Sequence, residues 1–358
     1  MTTTHHGPAA TQHTAPALAA RLAQARRDID PLLREAVDTL PAGRVREAAR
    51  YYFGWIDPAG RPTTTLGGGK SIRAALALDT AMALGATPES ALPAAAAVEL
   101  IQAFTLLTDD VLDRDRMRHG QPAAWTVHTA PTALLAGSAL LSLALTLPGL
   151  PDGAARLLAD AVNVTCEGAD ADTAFESRTG ITFGECLTMT RQKAGVFLGA
   201  TAGVGAQCAA ADPGVAGLLM EAFTTAGVAF QCANDLLGIW GDTARTGKPT
   251  GSDLTGLKHT LITVDALAHD STAGRDLAAL YDARTPLNSA QTAHATELVE
   301  ATGAGRRALD FIGQQTQHAL SLLERTVPDA AARRNVEALV TMPVTYYTAY
   351  ADQRGPRP

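Results

Sequence analysis

The sequence predicts an all-α protein built as one large helical bundle, and three observations predict it. Alanine and leucine dominate while aromatic residues make up only 5%, a mixture that favours helix because neither residue loses much on entering one. Apolar residues recur at three- and four-residue spacing along most of the chain, and no convincing stretch alternates with period two. The helical stretches follow one another through short breaks. A chain of 358 residues would ordinarily split, but this order fits a single bundle better than two domains.

Residues 1–16 are polar, carry His5 and His6 near a proline, and read as a disordered tail. A helical domain is expected over 17–353 and a short tail over 354–358. The pattern opens in Leu18–Leu40, where Pro31 is expected to divide it into two helices. It continues in Ala74–Leu84, Ala94–Leu112, Leu134–Leu145, Ala154–Val164, Val215–Leu237, Leu261–Ala266 and Ala308–Leu323. Breaks fall at Asp57–Pro62, Gly149–Gly153, Asp212–Gly214 and Gly247–Asp253. Pro131–Pro151 is nearly long and apolar enough to span a membrane. It lacks basic or aromatic anchors and is interrupted by Gly137, Ser138 and Pro148. A buried core helix is expected there, and no integral membrane protein.

The formal charge of -7, with no basic stripe to offset it, argues against a nucleic-acid partner. Cys166, Cys186, Cys208 and Cys232 form no CxxC pair, so neither a zinc site nor a disulfide framework is suggested. The N-terminus has neither the basic nor the apolar region of a secretory signal. A reducing cytoplasm is the expected compartment.

Two acidic segments carry the chemistry. In the first, an apolar run from Val98 to Thr108 leads into Asp109-Asp110-Val111-Leu112-Asp113. On a helix Asp109 and Asp113 share a face one turn apart, with Asp110 beside them. Clustered carboxylates repel, and a hard cation such as Mg²⁺, which keeps waters and substrate phosphates in its shell, relieves this. A solvated helix end paired with Arg114, Arg116 and Arg118 explains the segment equally well on its own. In the second, Asn234, Gly238 and Asp242 stand four apart and line one face, with Asp235 beside Asn234. Gly238 is expected to leave room for phosphate or water, and the following loop brings Lys248 toward the same end.

Together these residues resemble the trans-isoprenyl diphosphate synthase (polyprenyl synthetase) family of the class I isoprenoid synthase fold. The resemblance runs from about Gly67 to Lys258. It rests on Gly68-Gly69-Lys70 with Arg73, the DDxxD at Asp109, Arg118 with Gly120, Lys193, Phe230-Gln231, and the second segment through Lys248 and Asp253. The resemblance implies a helical bundle around a deep apolar cavity, a homodimer, a prenyl diphosphate substrate, and three Mg²⁺ ions with bound diphosphate. It implies that Asp109, Asp110 and Asp113 hold metal on one wall, and Asn234 and Asp235, with Gly238 and Asp242, on the other. Arg118, Lys193, Gln231, Lys248 and Lys258 resemble the residues that grip the allylic diphosphate. Lys70, Arg73, Gln102 and His119 resemble the site of a second diphosphate, that of isopentenyl diphosphate. Phe104, Thr105 and Phe230 correspond to the cavity wall, and bulky Phe104 hints at a C15 to C20 substrate. Such a site must neutralise departing pyrophosphate and keep water from an allylic cation.

A competing motif fails: Gly69-Lys70-Ser71 ends like a P-loop, but Thr64 stands where its first glycine belongs. Several family positions also differ. Arg118-His119-Gly120 replaces Arg-Arg-Gly, Asn234 replaces Asp, Ser71 replaces a basic residue, Ser138 replaces Asp and Ala194 replaces Thr. His119 lacks a guanidinium's bidentate fork. The second segment also resembles the NDxxSxxxE motif of terpene synthases, with Gly238 for Ser and Asp242 for Glu. The reading therefore leans to a terpene synthase that cyclises or rearranges one allylic diphosphate. The alternative is chain elongation with isopentenyl diphosphate. Prenyl transfer to a non-isoprenoid acceptor and a non-catalytic regulatory subunit are further readings.

Overall fold

Helix formation begins earlier and runs further than the periodicity suggests. The computed structural model describes residues 8–63, 69–241 and 250–351, with side chains from Pro16 to Met342 within those ranges. α1 (Pro8–Asp38) starts inside the segment read as a tail and passes through both Pro16 and Pro31 without a break. Pro31 therefore does not divide the first stretch. Its missing hydrogen bond falls at Arg27, on a solvent-facing side where water can satisfy the carbonyl, while Ile29 and Leu33 are fully buried and dock the helix.

α2 (Arg44–Tyr52) delivers Tyr51, Tyr52 and Phe53 to the core, where Phe53 stacks on Trp55 at 4.8 Å. α3 (Ile72–Ala83) and α4 (Pro88–Leu112) follow, α4 capped by Thr87, whose hydroxyl accepts from the Ser90 amide. α4 buries the alanine run Ala94–Ala97, so its neighbours approach closely. A two-residue hairpin, β1 (Met117–Arg118) with β2 (Gln121–Pro122), interrupts the helices. Its turn is His119-Gly120, both at positive φ, as a type I′ turn requires. The sequence reading placed no strand there.

α5 (Ala124–Val127), α6 (Ala130–Leu145) and α7 (Ala154–Phe175) continue the bundle. α6 is not the buried core helix expected of Pro131–Pro151. Leu134 and Leu135 are 37% and 59% exposed, while Ala136, Gly137 and Leu140 face inward. α8 (Phe183–Thr190) passes through a π-helical turn, Arg191–Gly195, into α9 (Val196–Cys208), which crosses α10 (Pro213–Trp240). The crossing is close enough to demand glycine: a Cβ at Gly199 would lie 2.5 Å from the Met220 carbonyl oxygen.

α11 (Ser252–Thr255), α12 (Leu261–Leu267), α13 (Thr272–Asp282), α14 (Ser289–Thr302), α15 (Ala304–Thr326) and α16 (Ala330–Ala351) complete the chain. Two apolar clusters result. One joins α1–α4, α6, α7, α9, the start of α10, the end of α15 and α16; the other joins the end of α10 to α8 and α11–α15. α10 belongs to both, and Asn234 and Asp235 lie on its second half. By length and composition α4 and α10 could each cross a membrane, but most of each apolar window is buried against other helices.

Candidate active site

Asp109 and Asp113 emerge at the C-terminal end of α4, where the Asp113 amide donates to the Asp109 carbonyl at 2.8 Å. A helix C-terminus already carries partial negative charge, so two carboxylates there call for cations. Lys258 supplies one, its Nζ 2.5 Å from Asp113 Oδ1. Lys193 supplies another: Asp109, Asp172 and Asp113 all act on it. Burial alone would lower the Lys193 pKa, but these carboxylates outweigh it and hold the ammonium charged. Burial raises Asp109, with Asp113 and Asp172 adding to the rise against Lys193 and Arg118.

Lys193 owes its position to the π-turn, an insertion that shifts the helix register at functional sites. Gly168 of α7 packs on the Lys193 backbone, where a Cβ would lie 2.4 Å from its amide nitrogen. One turn after Gly168 stands Asp172, whose Oδ2 accepts from Lys193 Nζ at 2.7 Å. Asp172 is a site residue that sequence reasoning missed. It sits in an acidic run, Glu167, Asp170 and Asp172, in which no spacing distinguishes it.

The second wall is α10. Asp235 is 5% exposed and accepts from Gln231 Nε2 at 2.8 Å. Its pKa lies well above the usual carboxylate range, first through burial, then through Asp253 and Asp172, with Gln231 and Lys193 opposing. Lys193 and Asp172 thus act on both Asp109 and Asp235, so the two acidic segments face each other across that pair. Asn234 is half-buried beside them. Gly238 does not leave room for phosphate or water. A Cβ there would lie 2.0 Å from Asp253 Oδ2, so the glycine admits the Asp253 carboxylate from α11. Asp242 and Lys248 lie outside the described residues.

Asp110 stands apart from this cluster. It is 2% exposed, and Arg118 holds its Oδ1 through Nε at 2.7 Å and through Nη2, while its Oδ2 has no partner. Burial raises Asp110; for Arg118 the hydrogen bond and charge of Asp110 outweigh the lowering effect of burial. Among the described residues no three carboxylates converge as a ready cation cage. Asp113 and Asp172 hold lysines instead. The donors are nonetheless carboxylates and one amide, which suits a hard, oxygen-liganded cation such as Mg²⁺.

A second group lies across the hairpin. The His119 ring reaches Gly69, at φ 86°, where a Cβ would meet its Nε2 at 2.8 Å. Although much of the residue remains accessible, burial of the ring and the charges of Arg118, Arg26 and Lys70 push its pKa down to about 4. His119 is therefore neutral at pH 7. Arg73 lies over the Phe197 ring at 5.3 Å. Ser71 Oγ, Arg73 Nε and Gln102 Oε1 are buried without partners among the described residues, which leaves their polar capacity open to water or a ligand. Of the expected cavity residues, Phe104 lies half-buried beside Gly137, where a Cβ would lie 3.3 Å from its ring. The Thr105 hydroxyl donates to the Gln102 carbonyl, and Phe230 is half-buried one turn before Asn234.

The chain is similar to known enzymes of prenyl diphosphate chemistry. The chain is 40% identical over 313 residues to a (2E,6E)-farnesyl diphosphate synthase of Mycobacterium tuberculosis, covering 85% of this chain and 87% of that one. It is 37% identical over 326 residues to a geranylgeranyl diphosphate synthase of the same organism, covering 89% and 91%. Its fold superposes on a polyprenyl synthetase from Streptomyces coelicolor A3(2) with a TM-score of 0.84 and 34% identity, covering 91% and 99%. Residues 61–299 match the polyprenyl synthetase family, and the chain belongs to that family.

Proposed function

We propose that the protein elongates an allylic diphosphate by condensing it with isopentenyl diphosphate. The observation that carries this is the second polar group: Ser71, Arg73 and Gln102 hold buried, unpartnered polar atoms apart from the carboxylate cluster. A cyclase, which binds one diphosphate, has no use for them. The lean toward cyclisation therefore gives way to the alternative. It drew on the altered positions of the acceptor side, His119 among them, and on the likeness of the second segment to a terpene-synthase metal motif, in which Gly238 stands for serine; Gly238 instead accommodates Asp253. The synthase names of the relatives point the same way.

Asp109, Asp113, Asp172, Asn234 and Asp235 would hold Mg²⁺, which when bound neutralises the departing diphosphate. Lys193, Lys258 and Arg118 exchange their carboxylate partners for substrate phosphate oxygens. Phe104 and Phe230 line the path of the prenyl chain and keep water from the allylic cation. A second copy of the chain covers Leu112, Met117, Leu134 and Leu135, which are 37% to 59% exposed on α4, the hairpin and α6. Four free cysteines favour a reducing cytoplasm.

Pyrophosphate release from geranyl or farnesyl diphosphate tests the reading. Release should require Mg²⁺, stop with EDTA, and depend on added isopentenyl diphosphate. Full release without that acceptor would restore the cyclase.

A further inference from the structure

Arg26 is a cation that neither the motif pattern nor the family resemblance singles out. It lies on α1, far in sequence from every other site residue, and is 5% exposed. A guanidinium so deeply buried is normally paired on several sides. Here Nη2 donates to the Phe53 carbonyl at 3.1 Å and stands 4.0 Å from Asp30 Oδ1. The group also lies 5.6 Å from the centroid of the Phe53 ring. Nε and Nη1 have no partner among the described residues. Asp30 is already engaged elsewhere, by Arg34 Nε at 2.6 Å and Trp55 Nε1 at 2.9 Å.

Arg26 acts electrostatically on Glu99, Tyr52 and His119. Glu99, 4% exposed, accepts from the Ala74 amide in the first turn of α3, immediately after Arg73. Its charge is also felt by Arg73. Tyr52 packs edge-on against His119 at 6.2 Å. Arg26 therefore stands behind the ring of residues assigned to the second diphosphate, at the edge where His119 occupies the place of an arginine. A neutral imidazole contributes no charge there.

We propose that Arg26 is part of the acceptor-diphosphate site and supplies, from α1, positive charge behind His119, which carries none. Two of its donors are left unpartnered beside a site that a polyanion enters only with substrate, and Glu99 feels the charges of Arg26 and Arg73 alike. This assignment rests on the elongation reading above. Removing this buried charge from behind the acceptor residues raises the acceptor KM on the order of tenfold or more.

The experiment compares wild type with Arg26→Gln, Arg26→Lys and the double variant Arg26→Gln/His119→Arg, measuring KM for isopentenyl diphosphate, KM for the allylic substrate, and kcat. R26Q should raise the acceptor KM at least tenfold and leave the allylic KM within a factor of two. R26K should recover part of the loss, and the added arginine at 119 should recover it as well. A merely structural role for Arg26 gives a different pattern: kcat and both KM values worsen together, the melting temperature falls, and arginine at 119 restores nothing. That pattern, or an acceptor KM unchanged in R26Q, overturns this assignment alone. Absence of any elongation by the wild-type chain overturns the function and the assignment together.

Discussion

Lys193 and Asp172 form an ion pair, Nζ to Oδ2 at 2.7 Å, in the space between the two acidic segments. Both of its members act on Asp109 and on Asp235. Asp172 orients the ammonium and, with Asp109 and Asp113, keeps it protonated; in the proposed function substrate diphosphate takes its place. Replacing Asp172 with Asn removes the charge while preserving shape. We expect kcat/KM for the allylic substrate to fall on the order of ten- to a hundredfold, by analogy with lost charge-assisted contacts in a preorganised site. Steady-state kinetics decides this, and an unchanged value would show that Lys193 is held by the π-turn alone.

Gly238 is the position where the two functional readings separate physically. Asp253 fills the space a side chain would need. Gly238→Ser, which would complete the terpene-synthase-like motif, should instead displace Asp253 and overpack the α10–α11 contact. Such overpacking costs about 1–3 kcal/mol, readable as a lowered denaturation midpoint, together with a loss of elongation. A stable G238S protein that begins to make cyclic hydrocarbon would contradict this packing argument.

His119 makes stability depend on pH in a defined direction. Its pKa is 6.5 in the unfolded chain and about 4 in the folded one. Between these values the unfolded state binds more protons, so stability rises with pH. The contribution is fully present above pH 6.5 and is lost as pH falls through about 4. Wild type should therefore lose more stability across that window than His119→Gln does, measured as chemical denaturation midpoints at several pH values. Parallel curves for the two proteins would place His119 in water.

The fold class and the outline of the site were legible because they rest on short-range pattern. Three- and four-residue periodicity reports helices directly, and Asp109 with Asp113, or Asn234 with Gly238, share a face by geometry alone. What sequence could not supply depends on who meets whom. Pro31 continues a helix because its freed carbonyl faces water, and α6 leaves Leu134 and Leu135 outward because Ala136, Gly137 and Leu140 already face Phe104 and the core. The His119-Gly120 turn is a weak hairpin signal beside Asn-Gly, so it passed unnoticed. Asp172 and Arg26 carry no motif of their own, and each matters through a partner distant in sequence.

The central claim is that the cation formed between Asp109 and Asp235 is captured by a second diphosphate-bearing substrate. Mass spectrometry of the products from farnesyl diphosphate and Mg²⁺, with and without isopentenyl diphosphate, measures this most directly. We expect a diphosphate one C5 unit longer when the acceptor is present, and no hydrocarbon or alcohol in quantity when it is absent. Cyclic hydrocarbon formed without acceptor, at a rate that added isopentenyl diphosphate does not change, would contradict it.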